Sequence, residues 1–297
     1  MSQIETSPSN NSLRGIILVS IGLLIIPIND GLAKMMLFRG YEAIEIAWFR
    51  YSMIFLLLLG PTLWRYGLAS LWPKNPRLHI MRSLALLVST TSFFIALKWV
   101  ALADGIAITF AAPLIITMLS GPLLGEKVGL RRWAGVFVGF IGMLIIVRPG
   151  VGVFNWGALI ALGSACSYGL YFIMTRKAAG TMAVVPALCF LGLVGTIGLS
   201  FAVPFVWKTP SLSDLPLLLA IGTTIAFAQL LVIKGLEYIE AALFAPFQYL
   251  EIISAVIFGY YVFGEFPDIY TWIGCAIVIV AGLYIAYREQ QRKITPP

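Results

Sequence analysis

Four ionisable side chains stand in stretches that are otherwise almost wholly apolar: Asp30 and Lys34 in residues 14–37, Arg50 in 43–60 and Glu251 in 241–263. If those stretches cross a bilayer, each charge costs several kcal/mol unless it is paired or faces water, so each is a functional candidate. Asp30 lies about nine residues inside the far end of its stretch and Arg50 about eight inside its own, roughly 13 and 12 Å at the helical rise. The loop between them is short, so an Asp30–Arg50 pair is easily made, and pairing offsets most of the burial cost. Lys34 is one turn from Asp30 on the same face and is expected to compete for it. Two readings stand: the cluster lines a cavity and holds the polar part of a solute, or it is a static ion pair fixing the first two helices.

Glu251 belongs to the densest polar and aromatic group in any apolar stretch, with Pro246, Phe247, Gln248 and Tyr249. Proline leaves a backbone carbonyl without its helical donor. A midplane carboxylate beside such a carbonyl can bind a cation or a substrate amine, or carry a coupling proton; a buried structural carboxylate is the alternative. Trp48, Tyr168 and Tyr171 also lie deep, and with Phe247 and Tyr249 they can stack on a flat ring. Thr109 and Gln229 are further cavity donors. Enzyme chemistry finds little support, because the one histidine, His79, is placed in a loop before the third helix and no HExxH or GxSxG motif occurs. Cys166, Cys189 and Cys275 form no CxxC pair and read as small core residues; no metal site and no cofactor are expected.

The elements holding these residues follow from composition. Of 297 residues, 60% are hydrophobic and 11% charged, with a mean hydropathy of +0.94. Soluble domains run near 45–50% apolar and about 25% charged, so a soluble globular protein is excluded. A membrane helix needs about 20 apolar residues, and the chain offers such stretches near 14–37, 43–60, 80–98, 104–124, 131–148, 156–175, 183–206, 215–235, 241–263 and 269–287. The expected fold is all-α, with ten transmembrane helices. Of the 20 Lys and Arg, only Arg39, Lys98, Arg148 and Lys208 fall on the far side, while Lys34 and Arg50 lie within spans. The other 14 gather on the side of the termini, which places both ends in the cytoplasm. Most of the net charge of +7 is thus a topology signal rather than a nucleic-acid footprint. Trp64, Trp72, Trp99, Trp133, Trp156, Trp207 and Trp272 sit near span ends, as an aromatic belt requires.

Sliding the chain by 139 residues lays Gly125-Glu126 on Gly264-Glu265, Trp133-Ala134-Gly135 on Trp272-Ile273-Gly274, and Asn29 under Tyr168. Two five-helix repeats follow, 14–148 and 156–287, flanked by a polar tail at 1–13, a linker at 149–155 and a basic tail at 288–297. Because five is odd, the second half crosses in the opposite sense, an arrangement used for alternating access around a midplane site. Gly135 and Gly139 form a small-residue face for close helix packing. Glu126 and Glu265, each ending a span, read as loop or hinge anchors, with Pro113 and Pro246 as hinge positions.

Ala101-Leu102-Ala103-Asp104, Ala111-Ala112-Pro113, Leu124-Gly125-Glu126 and Arg131-Arg132-Trp133-Ala134-Gly135 resemble the first half of an EamA-type member of the drug/metabolite transporter superfamily. Ala245-Pro246, Tyr249-Leu250-Glu251 and Gly264-Glu265-Phe266-Pro267-Asp268 match its second half. The resemblance implies a secondary transporter of the bacterial inner membrane with a central cavity, no enzymatic activity, a small-molecule substrate and the lipid bilayer as partner; a homodimer is left open. Within that branch, Asn29-Asp30 with Lys34 and the segment from Pro246 to Asp268 are similar to riboflavin and S-adenosylmethionine uptake proteins, whereas related exporters move amino acids or metallophores. With Lys34 and Arg50 set against Asp30 and Glu251, the cavity balances to neutrality, which favours a neutral or zwitterionic ring compound of the riboflavin kind.

Overall fold

The computed structural model describes residues 8–124, 130–147, 156–178, 180–236, 238 and 247–294. Its secondary structure there is helical throughout: α1 Pro8–Phe38, α2 Ala43–Tyr66, α3 Pro76–Ala96, α4 Leu102–Thr109, α5 Ala112–Leu124, α6 Leu130–Val147, α7 Trp156–Lys177, α8 Val184–Ser200, α9 Leu215–Leu236, α10 Leu250–Phe258 and α11 Ile269–Ile294. Among the described residues six stretches are long and apolar enough to cross a membrane: Leu13–Phe38, Ala43–Tyr66, Pro76–Ala96, Leu102–Leu119, Trp156–Lys177 and Leu215–Leu236. Shorter apolar helices at Trp133–Val147, Val184–Ser200, Leu250–Phe263 and Ile269–Tyr284 supply the rest. The chain is a multi-pass membrane protein. Helix α1 begins at Pro8, inside the segment expected to be a polar tail, and α11 runs on to Ile294, into the expected basic tail.

The fourth span is broken into α4 and α5 around Phe110 and Ala111. Pro113, in the first turn of α5, brings no N–H to the Thr109 carbonyl at the end of α4, so the helical ladder cannot run on through the break. The ninth span ends in a π-helical turn, Gly259–Phe263, closed by Gly264 at φ +68°, a left-handed conformation that glycine adopts without strain.

Packing partners repeat between the two halves. Helix α1 lies on α9 as α3 lies on α7; α1 meets α10 as α4 and α5 meet α7; α2 meets α9 as α3 meets α8. The pairs α2 with α8, α6 with α11 and α4 with α10 each join a span to the one five places on. Exchanging every span with its counterpart therefore maps these pairs onto one another.

Close approach at these seams depends on glycine. A Cβ built on Gly274 would lie 2.7 Å from the Gly142 carbonyl, and one on Gly142 would lie 3.0 Å from the Gly274 carbonyl, so α6 and α11 touch backbone to backbone. Gly139 faces Leu114 and Ala281, and Gly135 is buried. Cys189 and Cys275 are buried as expected, but Cys166 is exposed on the outside of α7, because it falls between the packed positions Ala165 and Gly169. All seven belt tryptophans are exposed.

Candidate functional site

Helix α1 is held on α9 by small residues: a Cβ on Gly22 would meet the Ala228 carbonyl at 2.8 Å, and one on Gly235 the Gly15 carbonyl at 2.7 Å. This contact sets Asn29, fully buried, against the middle of α9. Its amide N–H groups donate to the Ile221 carbonyl and to Thr224 Oγ1, the latter at 3.2 Å. Its side-chain oxygen is thereby aimed at Arg50, which donates to it at 2.9 Å and to Asp30 Oδ1 at 3.2 Å. The expected Asp30–Arg50 ion pair is present, with both residues 8% exposed. The Arg50 guanidinium also lies 5.5 Å from the Phe94 ring centroid.

Asp30 and Arg50 form part of the wall of a cavity of about 90 Å³. Glu251, Tyr168 and Thr109 share that wall, as do Ser89, Thr90 and Ser164. Among the described residues no donor meets the Glu251 side chain. The three hydroxyl residues were not singled out by sequence reasoning, though a polar stripe on an apolar helix marks them. The Ser164 hydroxyl donates to the Ser89 carbonyl at 2.8 Å, and the Ser89 and Ser164 hydroxyls are 3.2 Å apart. Thr90 accepts from the Tyr51 hydroxyl at 3.1 Å. A pocket this size holds several waters but falls below the roughly 300 Å³ at which sites for drug-sized ligands begin.

Lys34 does not compete for Asp30. Its ammonium turns away, to Glu265 Oε1 and Oε2 at 2.5 and 2.8 Å and to the Val100 carbonyl at 2.9 Å. The π turn and the left-handed Gly264 fold Glu265 back over α1, and the same carboxylate accepts the Leu102 N–H at the start of α4, 3.0 Å away. Phe38 and Phe263 face the ammonium at 5.7 and 5.2 Å. Lys34 is thus neutralised outside the cavity, whose walls hold two carboxylates against one guanidinium. The expectation of a charge-balanced cavity is corrected accordingly.

Several other sequence candidates lie off the cavity wall. Trp48 donates to Ser200 Oγ at 2.9 Å and packs edge-on against Trp207, in a cluster at the ends of α2 and α8. The Tyr249 hydroxyl donates to the Ile279 carbonyl at 3.2 Å, tying α10 to α11, while its ring tilts against Phe110. Phe247 packs with Val19 and Leu23. Gln248 is half-buried, and its carbonyl accepts the Glu251 N–H. Tyr171 stacks on Tyr168, 6.0 Å between centroids. Among the described residues Gln229 Oε1 is buried without a partner. Glu126 and Pro246 lie outside the described residues, as does the side chain of Pro113. His79, expected in a loop, is buried in the first turn of α3, and Arg82, a charge at the start of the stretch 80–98, is buried in the second.

Fold and cavity together define a helical membrane protein with a charged, water-sized chamber between two packing-equivalent halves, as a carrier of small solutes requires. Residues 13–148 and again 155–288 match the EamA-like transporter family, and this chain belongs to that family. It is 30% identical over 280 residues to an S-adenosylmethionine uptake transporter of Rickettsia prowazekii, covering 94% of each chain. It is also 30% identical to a riboflavin transporter of Rhizobium johnstonii, covering 86% of this chain and 85% of the relative, and 29% identical to one of Vibrio cholerae, covering 85% and 86%. A solved crystal structure superposes with a TM-score of 0.63 at 18% identity, over 97% of this chain and 99% of its own; likeness at that identity shows the fold alone. The family consists of transporters, and this chain is not an enzyme.

Proposed function

We propose that this protein is a bacterial inner-membrane uptake transporter for a small, ring-bearing metabolite that carries positive charge, of the S-adenosylmethionine type. The observation that carries the reading is Glu251: a carboxylate without a donor partner among the described residues, on the same cavity wall as an Asp30–Arg50 pair that is already neutral. A cationic group entering the chamber satisfies it, as does a proton in its absence. Tyr168 offers a ring face beside it. Relatives named for S-adenosylmethionine uptake support the same choice.

In this reading both termini are cytoplasmic and the repeats 14–148 and 156–287 are inverted. They rock about the α2–α8 and α6–α11 seams, with Pro113, Pro246 and Glu126 near the bending points and Lys34–Glu265 closing the outer side. The small cavity is that of a solute-free state, which widens on loading. Labelled S-adenosylmethionine supplied to sealed vesicles containing the purified protein tests it. Uptake without ATP, lost in Glu251→Gln, is expected; a wild type that leaves S-adenosylmethionine outside refutes it. The stacked Tyr168 and Tyr171 favour riboflavin as the second reading, and riboflavin flux by that same wild type would select it.

A further inference from the structure

Below the cavity, toward the Pro76 end of α3, lies a buried cation without a carboxylate. Arg82 is 6% exposed. Its Nη2 donates to the Ala187 carbonyl of α8 at 3.1 Å and its guanidinium lies 6.0 Å from the Tyr171 ring centroid. Among the described residues its buried Nε has no acceptor and no carboxylate lies within ion-pair distance. An arginine left so incompletely paired in a membrane bundle is expensive, and the expense marks a site that an anion completes.

Two helical stripes connect it to the cavity. On α3, Arg82 stands one turn before Leu86, which with Ser89, Thr90 and Phe93 lines the chamber at the spacing of one helix face. On α7, Ser164, Tyr168 and Tyr171 recur at the same spacing; the first two line the chamber and the third meets Arg82. The Tyr168–Tyr171 stack therefore runs from the chamber wall to the guanidinium.

We infer that Arg82 is an anion-binding station on the cytoplasmic leg of the path, which receives the carboxylate of a zwitterionic substrate while the cationic part leaves Glu251. The inference takes its direction and solute from the uptake reading above. A guanidinium suits the role because its planar fork holds a carboxylate by two parallel hydrogen bonds.

Vesicles containing wild type, Arg82→Gln or Arg82→Lys are given S-adenosylmethionine or its decarboxylated analogue. Wild type is expected to prefer the carboxylate-bearing solute by about tenfold, the worth of one charge-assisted hydrogen bond. Arg82→Gln loses that preference while moving the analogue at near the wild-type rate, and Arg82→Lys keeps part of it. If Arg82 merely ties α3 to α8, the Gln variant slows both solutes equally and the preference survives, which overturns the inference. Thermal unfolding and gel filtration identify a variant that fails to fold, in which case the Lys variant decides by the same ratio. Wild-type vesicles that move riboflavin but not S-adenosylmethionine overturn the uptake reading alone. Competition then decides for Arg82: riboflavin 5′-phosphate blocking riboflavin flux in wild type but not in Arg82→Gln supports the station, and equal block removes it. Movement of neither solute overturns both.

Discussion

Replacing Glu265 by Gln removes the charge that neutralises Lys34 and keeps the shape. Lys34 is almost fully buried, and its Nζ stands 2.5 and 2.8 Å from the two carboxylate oxygens. At such separations and an effective dielectric of about 20, Coulomb's law gives about 6 kcal/mol. The Glu265 side chain is 26% exposed, so water screens roughly half of that, leaving about 3 kcal/mol, the low end for breaking a buried pair. The amide cannot restore it: one of the two oxygens becomes an NH2, which faces either the Lys34 ammonium or the Leu102 N–H, both donors. At about 2–4 °C per kcal/mol, Tm in detergent should fall by about 6–12 °C, measured by tryptophan fluorescence. In Lys34→Met/Glu265→Gln neither member of the pair is left charged, and the double variant is expected to recover most of the loss. Losses that simply add in the double variant would refute the coupling on which the estimate rests.

Other perturbations follow the same logic. Asp30→Asn leaves Arg50 buried with only neutral acceptors, costing about 3 kcal/mol in unfolding free energy, and Asp30→Asn/Arg50→Met should recover most of the loss in the same thermal assay. Gly274→Ala drives a Cβ toward the Gly142 carbonyl and the Ile146 side chain, so about 1–3 kcal/mol of overpacking is expected, seen as a lower Tm and reduced monodisperse yield. In the loop before α9, hydrogen bonds from Ser211, Arg39 and Tyr41 hold the Asp214 carboxyl below its usual range. Its stabilising effect, small because the group is solvent-exposed, is present above the ordinary aspartate value of 3.8 and is lost as pH falls through the lower folded value. The Tm difference between wild type and Asp214→Asn should be constant near neutrality and close in acid; a gap that widens on acidification contradicts the assigned contacts.

The spans were legible because an apolar window is a local property of the chain. So was Asp30–Arg50, whose members are joined by a short loop at matched depth. The partner of Lys34 was not, since Glu265 is distant in sequence and reaches α1 only through a π turn, which leaves no periodic signature. That single displacement changed the cavity's charge balance and with it the favoured solute. The break in the fourth span was half visible, in that Pro113 stands in plain sight while the position at which the helix parts depends on neighbours. Arg82 falls inside the expected span, but a cation near a span end registers only as a topology charge in the positive-inside count, and only packing reveals its burial. Trp48 and Tyr249 show the converse: depth along a helix was read correctly, but the direction each side chain faces depends on helix rotation, which aromatic residues alone do not report.

A π turn carries one residue more than the α turns it interrupts, so the segment Gly259–Phe263 acts as a stored register shift. Rewound as α-helix, the residues that directly follow the turn would be carried round by about 100° and along by about 1.5 Å. Glu265 would then leave Lys34 and the Leu102 N–H together, releasing α1 and α4 at the same instant. The two ties that Glu265 makes, to Lys34 of α1 and to the N–H that starts α4, therefore depend on one turn and would form or break as a single unit.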